Sequence, residues 1–249
     1  MWSKEEAAGA KRSTDTLTRP HAILGMAYLR KVFAIVAKDV VAELRTREML
    51  SSMFVFSLLV ILIFNFAFDL RADNQRTLAP GVLWVAIAFA GMLGLSRSFI
   101  IEKDRGSMEG LLLAPVDRSA IFLGKMLGNV LFITVVELII LPIFMVLFNL
   151  SGQDLLPLIG VIILGTVGFA GVGTLFSAMA VHTRAREVLL PVLLFPVVIP
   201  VMLSAVKLTA GILDRLPFAE VRNWFSLLVA FDLIFMALAF MFFDYVMYE

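Results

Sequence analysis

Cysteine is absent from this chain of 249 residues, and histidine occurs only twice, as His21 and His182. Without cysteine the chain can form no disulfide, no thiolate metal site and no thiol nucleophile. Both histidines fall outside the long apolar runs described below, so no imidazole is available inside a membrane to ligate a metal or a haem iron. We therefore expect no metal site and no cofactor bound by this chain itself.

Charge is also scarce. Charged residues make up 16% of the chain and hydrophobic residues 61%, whereas a soluble domain has about 25% and 45–50%. The net charge of +1 gives no electrostatic basis for a nucleic-acid partner. This composition indicates a membrane protein.

A nucleotide-binding loop is missing. The nearest candidate is Gly124-Lys125, but Met126 follows where a phosphate loop needs Ser or Thr, and Ser119 stands where its first glycine should be. We expect this chain to be no enzyme, so any ATP hydrolysis must come from a partner protein.

The apolar residues form six runs long enough to cross a bilayer as helices. The runs are dense in Leu, Val, Phe and Ile rather than alternating, which disfavours a transmembrane barrel. The predicted fold is an all-α membrane protein with spans at about 49–68, 80–101, 126–149, 155–180, 188–206 and 222–243.

Basic residues are distributed unequally between the two sides that these spans define, eleven against five. The richer side holds Arg30, Lys31, Lys38, Arg45, Arg47, Lys103, Arg105, Arg118, Lys125, Arg184 and Arg186. The poorer side holds Arg71, Arg76, Lys207, Arg215 and Arg222. The positive-inside rule then predicts that both termini are cytoplasmic.

Two segments precede the first span. Residues 1–26 are polar and are predicted to be a flexible tail. Residues 28–47 have apolar residues at three- and four-residue spacing and basic residues on the opposite face, which predicts an amphipathic helix in the membrane interface, in contact with lipids. The apolar positions are Leu29, Val32, Phe33, Val36, Val40 and Leu44. A surface anchor and a lever beside a moving partner both fit this helix.

The segment between spans two and three, residues 102–125, predicts a short cytoplasmic helix. Acidic residues and an apolar patch lie close together there, Pro115 ends the helix, and Asp117 can cap the segment that follows. An ordinary loop is the plainer interpretation, but exposed leucines favour docking into a groove of a partner. The docking residues we predict are Glu102, Gly106, Met108, Glu109, Leu111, Leu112, Pro115, Asp117 and Arg118.

Polar and small residues inside the spans form a second group of candidates. Glu137 and Asp232 lie within spans three and six, where a carboxylate costs about 2.5–3.5 kcal/mol on insertion scales. Each is either hydrogen-bonded to a neighbouring helix or part of a substrate path or an inter-chain contact. Span four carries small residues at four-residue intervals, Thr166, Ala170, Thr174 and Ala178, with Gly165 among the glycines around them. These residues serve either packing within the chain or a dimer contact.

The 102–125 segment resembles the intracellular signature of type-2 ABC exporter permeases. The resemblance rests on Glu102, Gly106, Glu109, Leu111-Leu112, the run 114–119 and Leu123-Gly124-Lys125. In that family an interfacial elbow helix precedes span one and this segment docks into the ATPase. The resemblance implies a permease domain over 27–249, an ABC ATPase partner, and a homodimer or larger complex, because six spans are half of a transporter.

Further stretches resemble the haem exporter protein B family, whose members are permeases of the cytochrome c maturation system. They are Asn65-Phe66-Ala67-Phe68 and the runs 79–85, 110–121, 165–169 and 186–196. This resemblance implies a bacterial inner-membrane protein, haem-handling membrane proteins as partners and haem as cargo of the complex. It implies either haem export or release of a haem-loaded chaperone. Alternatives are an exporter of a lipid, polysaccharide or drug, and a non-transporting scaffold.

Overall fold

The structure is a computed structural model. It describes residues 26–68, 75–104, 106, 110, 116–181, 183 and 185–246. The predicted tail, residues 1–26, therefore lies almost entirely outside the described residues.

Seven long helices make up the described part of the chain. The first, α1, spans residues 26–46. The others are α2 (Glu48–Phe68), α3 (Gln75–Asp104), α4 (Arg118–Leu147), α5 (Leu155–Ala180), α6 (Arg186–Leu213) and α7 (Phe218–Val246). A 3-10 turn, Gly152–Asp154, precedes α5.

Helices α2 to α7 are each long and apolar enough to cross a membrane, with a mean hydropathy between 2.0 and 2.9. At 1.5 Å per residue, a helix of 30 residues such as α3 is about 45 Å long, more than the hydrocarbon core requires. The prediction of an all-helical protein with six spans is confirmed. Whether α1 lies in the membrane interface, and whether a short helix joins spans two and three, stay predictions.

The chain turns sharply between α1 and α2 at Arg47, which has a positive φ of 56°. Glu43 supports this corner from both its backbone and its side chain. Its carbonyl accepts a hydrogen bond from the Arg47 amide at 2.7 Å, and its carboxylate accepts one from the Leu50 amide at 2.8 Å. The second bond satisfies an amide in the first turn of α2, which has no partner within its own helix. The corner therefore sets the direction in which α1 leaves the first span.

Helices α3 and α5 form the centre of the bundle. α5 packs against α3, α4, α6 and α7, whereas α2 and α7 bury the smallest parts of their surfaces. Glycines on α5 allow this close packing, because a Cβ at Gly165 would overlap the Trp84 ring and one at Gly173 would overlap Leu95. The small-residue face of α5 thus contacts helices of its own chain.

Candidate functional site

Four charged side chains meet where α1 crosses the ends of α3 and α4. Lys38 and Asp39 come from α1, Glu102 from the last turn of α3, and Lys125 from the second turn of α4. We call these four residues the charge network. Its formal charge is zero, with two ammonium groups facing two carboxylates.

Lys125 is the centre of the network. Its side chain is only 2% exposed, and its ammonium group contacts Asp39 Oδ2 at 3.0 Å and Glu102 Oε1 at 2.6 Å. It also donates to the Ser98 carbonyl at 3.1 Å. An ammonium group has three donors, so this buried lysine has an acceptor for each of them. Because the charge is paired and hydrogen-bonded, it can be buried without a large penalty.

Lys38 is the half-exposed member of the network, and its ammonium group contacts both Asp39 and Glu102. Burial acts to lower the pKa of Lys38, but the hydrogen bond to Glu102 and the charge of Asp39 outweigh it and raise the pKa above its ordinary value of 10.5. Burial acts to raise the pKa of Glu102, but the charge and hydrogen bond of Lys125, with a smaller effect of Lys38, lower it below 4.5. Both shifts favour the ionised pairs at neutral pH.

Helix α1 also packs directly on the start of α4. The Tyr28 hydroxyl donates to Ser119 Oγ at 3.2 Å. A Cβ at Gly124 would lie 2.8 Å from Ile35 Cβ, so a glycine is needed at this crossing. Because Glu102 precedes residues 105–117 and Ser119 and Lys125 follow them, α1 contacts the chain on both sides of that connection.

The end of α3 has a further contact, to α5. Lys103 donates to the Val181 carbonyl at 2.6 Å, at the C-terminal end of α5, where a cation also interacts favourably with the helix dipole. Gly106 follows with a positive φ of 66° and its amide bonds to the Lys103 carbonyl at 3.1 Å. A left-handed glycine is a common way to end a helix. Glu102 and Lys103 thus connect this end of α3 to α1, α4 and α5.

The structure describes four of the nine predicted docking residues, and these four differ in burial and position. Glu102 is buried in the charge network, Gly106 is exposed, and Asp117 and Arg118 stand at the start of α4. Asp117 is the N-cap residue, but its side chain makes no capping hydrogen bond. Met108, Glu109, Leu111, Leu112 and Pro115 lie outside the described residues.

The second group of candidates lies deeper in the bundle. The Thr166 hydroxyl donates to Glu137 Oε1 at 2.5 Å, and Asn129 donates to Thr174 Oγ1 at 2.9 Å. The Thr174 hydroxyl in turn donates to the Ala170 carbonyl within α5. Both inter-helix bonds join α4 to α5, eight residues apart on each helix, which is about 12 Å along the axes. They fix the register of these two antiparallel helices.

Asp232 occupies a different position, against α5 from the side of α7. Its carboxylate lies where a Cβ would be at Gly168, so only glycine fits there. Neither of its oxygens has a hydrogen-bond partner among the described residues. Glu137 and Asp232 are therefore on different helix contacts and do not form one site.

Sequence reasoning overlooks Lys38, Asp39 and Lys125 as site residues. The hydropathy pattern places Lys125 in a loop, but α4 begins seven residues before it and buries it. The adjacent opposite charges of Lys38 and Asp39 on α1 are the available signal, but their partners Glu102 and Lys125 are 64 and 86 residues away in the chain. Among the described residues, no group of three acidic, histidine or cysteine side chains is arranged to hold a metal ion.

Six apolar helices of spanning length, with the charge network at one end, define a multi-pass membrane protein. The model of the CcmB protein family matches residues 30–245, and the chain belongs to that family. The match includes α1 from residue 30 onward, the charge network and all six spans.

Several relatives carry the name Heme exporter protein B. The one from Pseudomonas aeruginosa is 28% identical over 206 residues, which is 82% of this chain and 92% of that protein. The one from Rhodobacter capsulatus is 26% identical over 175 residues, 70% of this chain and 80% of that protein. The one from Haemophilus influenzae is 29% identical over 165 residues, covering 66% and 74%. The resemblance to haem exporter protein B is confirmed.

Proposed function

We propose that this chain is the permease component of an ABC transporter complex required for c-type cytochrome biogenesis. The observation that carries this proposal is the family match over residues 30–245, together with relatives named Heme exporter protein B that align over most of their length. In this proposal ATP is hydrolysed by a partner ATPase, and haem is the cargo of the complex. The chain lies in the bacterial inner membrane with both termini cytoplasmic.

The charge network suggests how a movement of the partner ATPase is transmitted to the membrane-spanning helices. The connection 105–117 would dock into the ATPase, and its two ends are held to α1 by Lys38, Asp39, Glu102 and Lys125. A displacement of the connection would then move α1, the end of α3 and the start of α4 together. Lys103 extends this unit to the end of α5. The movement serves either haem export or the release of a haem-loaded chaperone.

Affinity purification tests the assignment. The tagged chain is isolated in mild detergent, the retained proteins are identified by mass spectrometry, and c-type cytochromes are measured by haem staining in a deletion strain. The expected result is an ABC ATPase together with haem-handling membrane proteins, and loss of c-type cytochromes in the deletion strain. Recovery of an ATPase alone, with c-type cytochromes intact, would refute the haem assignment.

A charge reversal tests the docking surface. Arg118→Glu, at the start of α4, should reduce recovery of the ATPase on the order of tenfold, equivalent to about 1.4 kcal/mol. Arg222→Glu is the matched control, because Arg222 is an exposed arginine near the start of α7 on the side that we assign to the periplasm. Equal recovery with the two variants would show that the start of α4 is not the docking surface.

A further inference from the structure

Two neighbouring cavities lie against α2, α3 and α4, and the first of them is also lined by α1. We call the space along these two cavities the seam. The first has a volume of about 50 Å³ and is lined by Asp39, Glu43, Ser98, Glu102 and Asn129, among others. The second, of about 10 Å³, lies deeper and is lined by Met53, Ser57 and Glu137 with apolar neighbours. One water needs about 10–15 Å³ of such space. The first cavity therefore has room for a few waters and the second for about one.

The deeper cavity is lined by one buried carboxyl group, that of Glu137. Glu137 is 4% exposed, and while its Oε1 accepts from Thr166, its Oε2 has no hydrogen-bond partner among the described residues. A buried polar atom without a partner is unfavourable by about 1–3 kcal/mol. A water in the cavity would satisfy Oε2 and could reach the Ser57 hydroxyl, which lines the same space. Two polar partners are enough to hold a buried water.

Two methionines of α2 line these cavities. Met49 lines the first cavity, and Met53, one turn further along α2, lines the second. The Met53 sulfur lies 2.8 Å from the position a Cβ would take at Gly94, so it fills the space that the glycine leaves on α3. Methionine is unbranched and changes rotamer readily. A rotation of Met53 is therefore the movement that we expect to open a path between the two spaces.

We propose that this seam is a water inlet, which leads from the charge network to Glu137 and is closed by the Met53 side chain. The ligand of the deeper cavity is a single water, held by Glu137 and Ser57. The inlet gives a buried carboxyl group contact with water from the end of the bundle where α1 lies, without passage through lipid. The proposal rests on the two cavities, on the Glu137 carboxylate and on Met53, and it does not depend on the proposed function.

Hydroxyl-radical footprinting of the unmodified chain in lipid nanodiscs tests the inlet. Radicals generated from water by a short X-ray pulse oxidise methionines that lie beside water, and mass spectrometry measures each site. Met53 is 0% exposed, whereas Met92 and Met145, which line neither cavity, are 8% and 9% exposed. The inlet predicts that Met53 is oxidised at least about threefold faster than either control, because a resident water lies beside it. Oxidation of Met53 at or below the rate of the controls would overturn the proposal.

The absence of native cysteine allows a second test with single-cysteine variants. Ser57→Cys places a thiol beside the deeper cavity, and Ser204→Cys is the matched control, a buried serine on α6 that lines neither cavity. Reaction with Ag⁺, a cation of roughly water's size, is measured as protection from maleimide labelling after unfolding in SDS. The thiol at position 57 should react about tenfold faster than that at 204, and faster still with Met53→Ala, because only the first site is reached by water. Equal rates, unaltered by Met53→Ala, would refute the inlet.

Discussion

Replacement of Lys125 by methionine tests the energetics of the charge network. Methionine approximately preserves the volume of the side chain but removes the ammonium group. Asp39 and Glu102 then lose the cation at 3.0 and 2.6 Å, and the Ser98 carbonyl loses its donor. Removal of one partner from a buried ion pair typically destabilises a protein by about 3–5 kcal/mol, because the remaining charge stays buried and unpaired.

The value for Lys125→Met should lie near the lower end of that range, at about 3 kcal/mol. Lys38 still contacts both carboxylates, so each keeps a cationic partner after the substitution. The double variant Lys125→Met with Glu102→Gln should regain at least about 1 kcal/mol of that loss, because one ammonium group then faces one carboxylate and the excess buried negative charge is gone.

The assay is reversible unfolding of the purified chain in mixed micelles, with SDS as denaturant and tryptophan fluorescence as the signal. Lys207→Met is the control, because Lys207 is an exposed lysine on α6 outside the network, and it should change the free energy of unfolding by less than about 0.5 kcal/mol. A loss below about 1 kcal/mol for Lys125→Met, or no recovery in the double variant, would refute the reasoning.

Three further predictions concern other parts of the molecule. The folded-state pKa of Glu102 lies below 4.5, so the stabilising effect of its ionised carboxylate is present above pH 4.5 and is lost as the pH falls through the folded-state pKa. The free energy of unfolding should therefore fall on acidification below pH 4.5. A Glu102→Gln variant whose free energy of unfolding falls equally steeply with pH would contradict this. Gly165→Ala should destabilise the chain by about 1–3 kcal/mol, because the new methyl group overlaps Trp84. Gly160→Ala is the control on the same helix, because a Cβ at position 160 would meet no neighbouring atom, and this variant should not destabilise the chain. Equal unfolding curves for the two variants would show that the Trp84 ring accommodates the methyl group at position 165. Glu137→Leu should leave the amount of protein in the membrane unchanged but lower the yield of c-type cytochromes, and an unchanged yield by haem staining would show that the carboxylate has no role beyond packing.

The membrane architecture is readable from the sequence because each span is a local property. Hydropathy over about 20 residues identifies a span whatever the rest of the chain does. The ends of the helices follow different rules. α3 and α4 extend beyond their apolar cores into charged sequence, and α4 begins at Arg118 rather than near residue 126.

The charge network could not be read from the sequence in the same way. Its members come from three helices, and the pairing depends on how α1 turns at Arg47 and crosses α4 at Gly124. A lysine next to an apolar run is usually placed outside the membrane, since its charge is expensive to bury alone. Lys125 can be buried because Asp39 and Glu102, from two other helices, lie against its ammonium group. No local sequence pattern around Lys125 indicates that these carboxylates will be there.

The apolar face of α1 is also predicted only in part from the sequence. Leu29, Phe33 and Leu44 are exposed, as expected for a stripe facing lipid, but Val32 of the predicted stripe is buried. The face that packs on the bundle is centred instead on Val32, Ile35 and Glu43. Periodicity identifies an amphipathic helix, but it does not distinguish the side that meets protein from the side that is exposed on the described bundle.

The central proposal is that α1 and the two ends of the 105–117 connection move as one unit when the partner ATPase hydrolyses ATP. A reducible cross-link between α1 and α4 tests it most directly, with Tyr28→Cys and Ser119→Cys as the two attachment points, because the Tyr28 hydroxyl lies 3.2 Å from Ser119 Oγ across this contact. A bis-thiosulfonate linker joins the two thiols and takes the place of the tyrosine ring. The measurement is ATP hydrolysis by the reconstituted complex, cross-linked and then reduced, with each single-cysteine variant as a control. The account predicts that the cross-linked complex hydrolyses ATP at the rate of the reduced one. Loss of activity on cross-linking, with recovery on reduction, would mean that α1 must separate from α4 and would contradict the account.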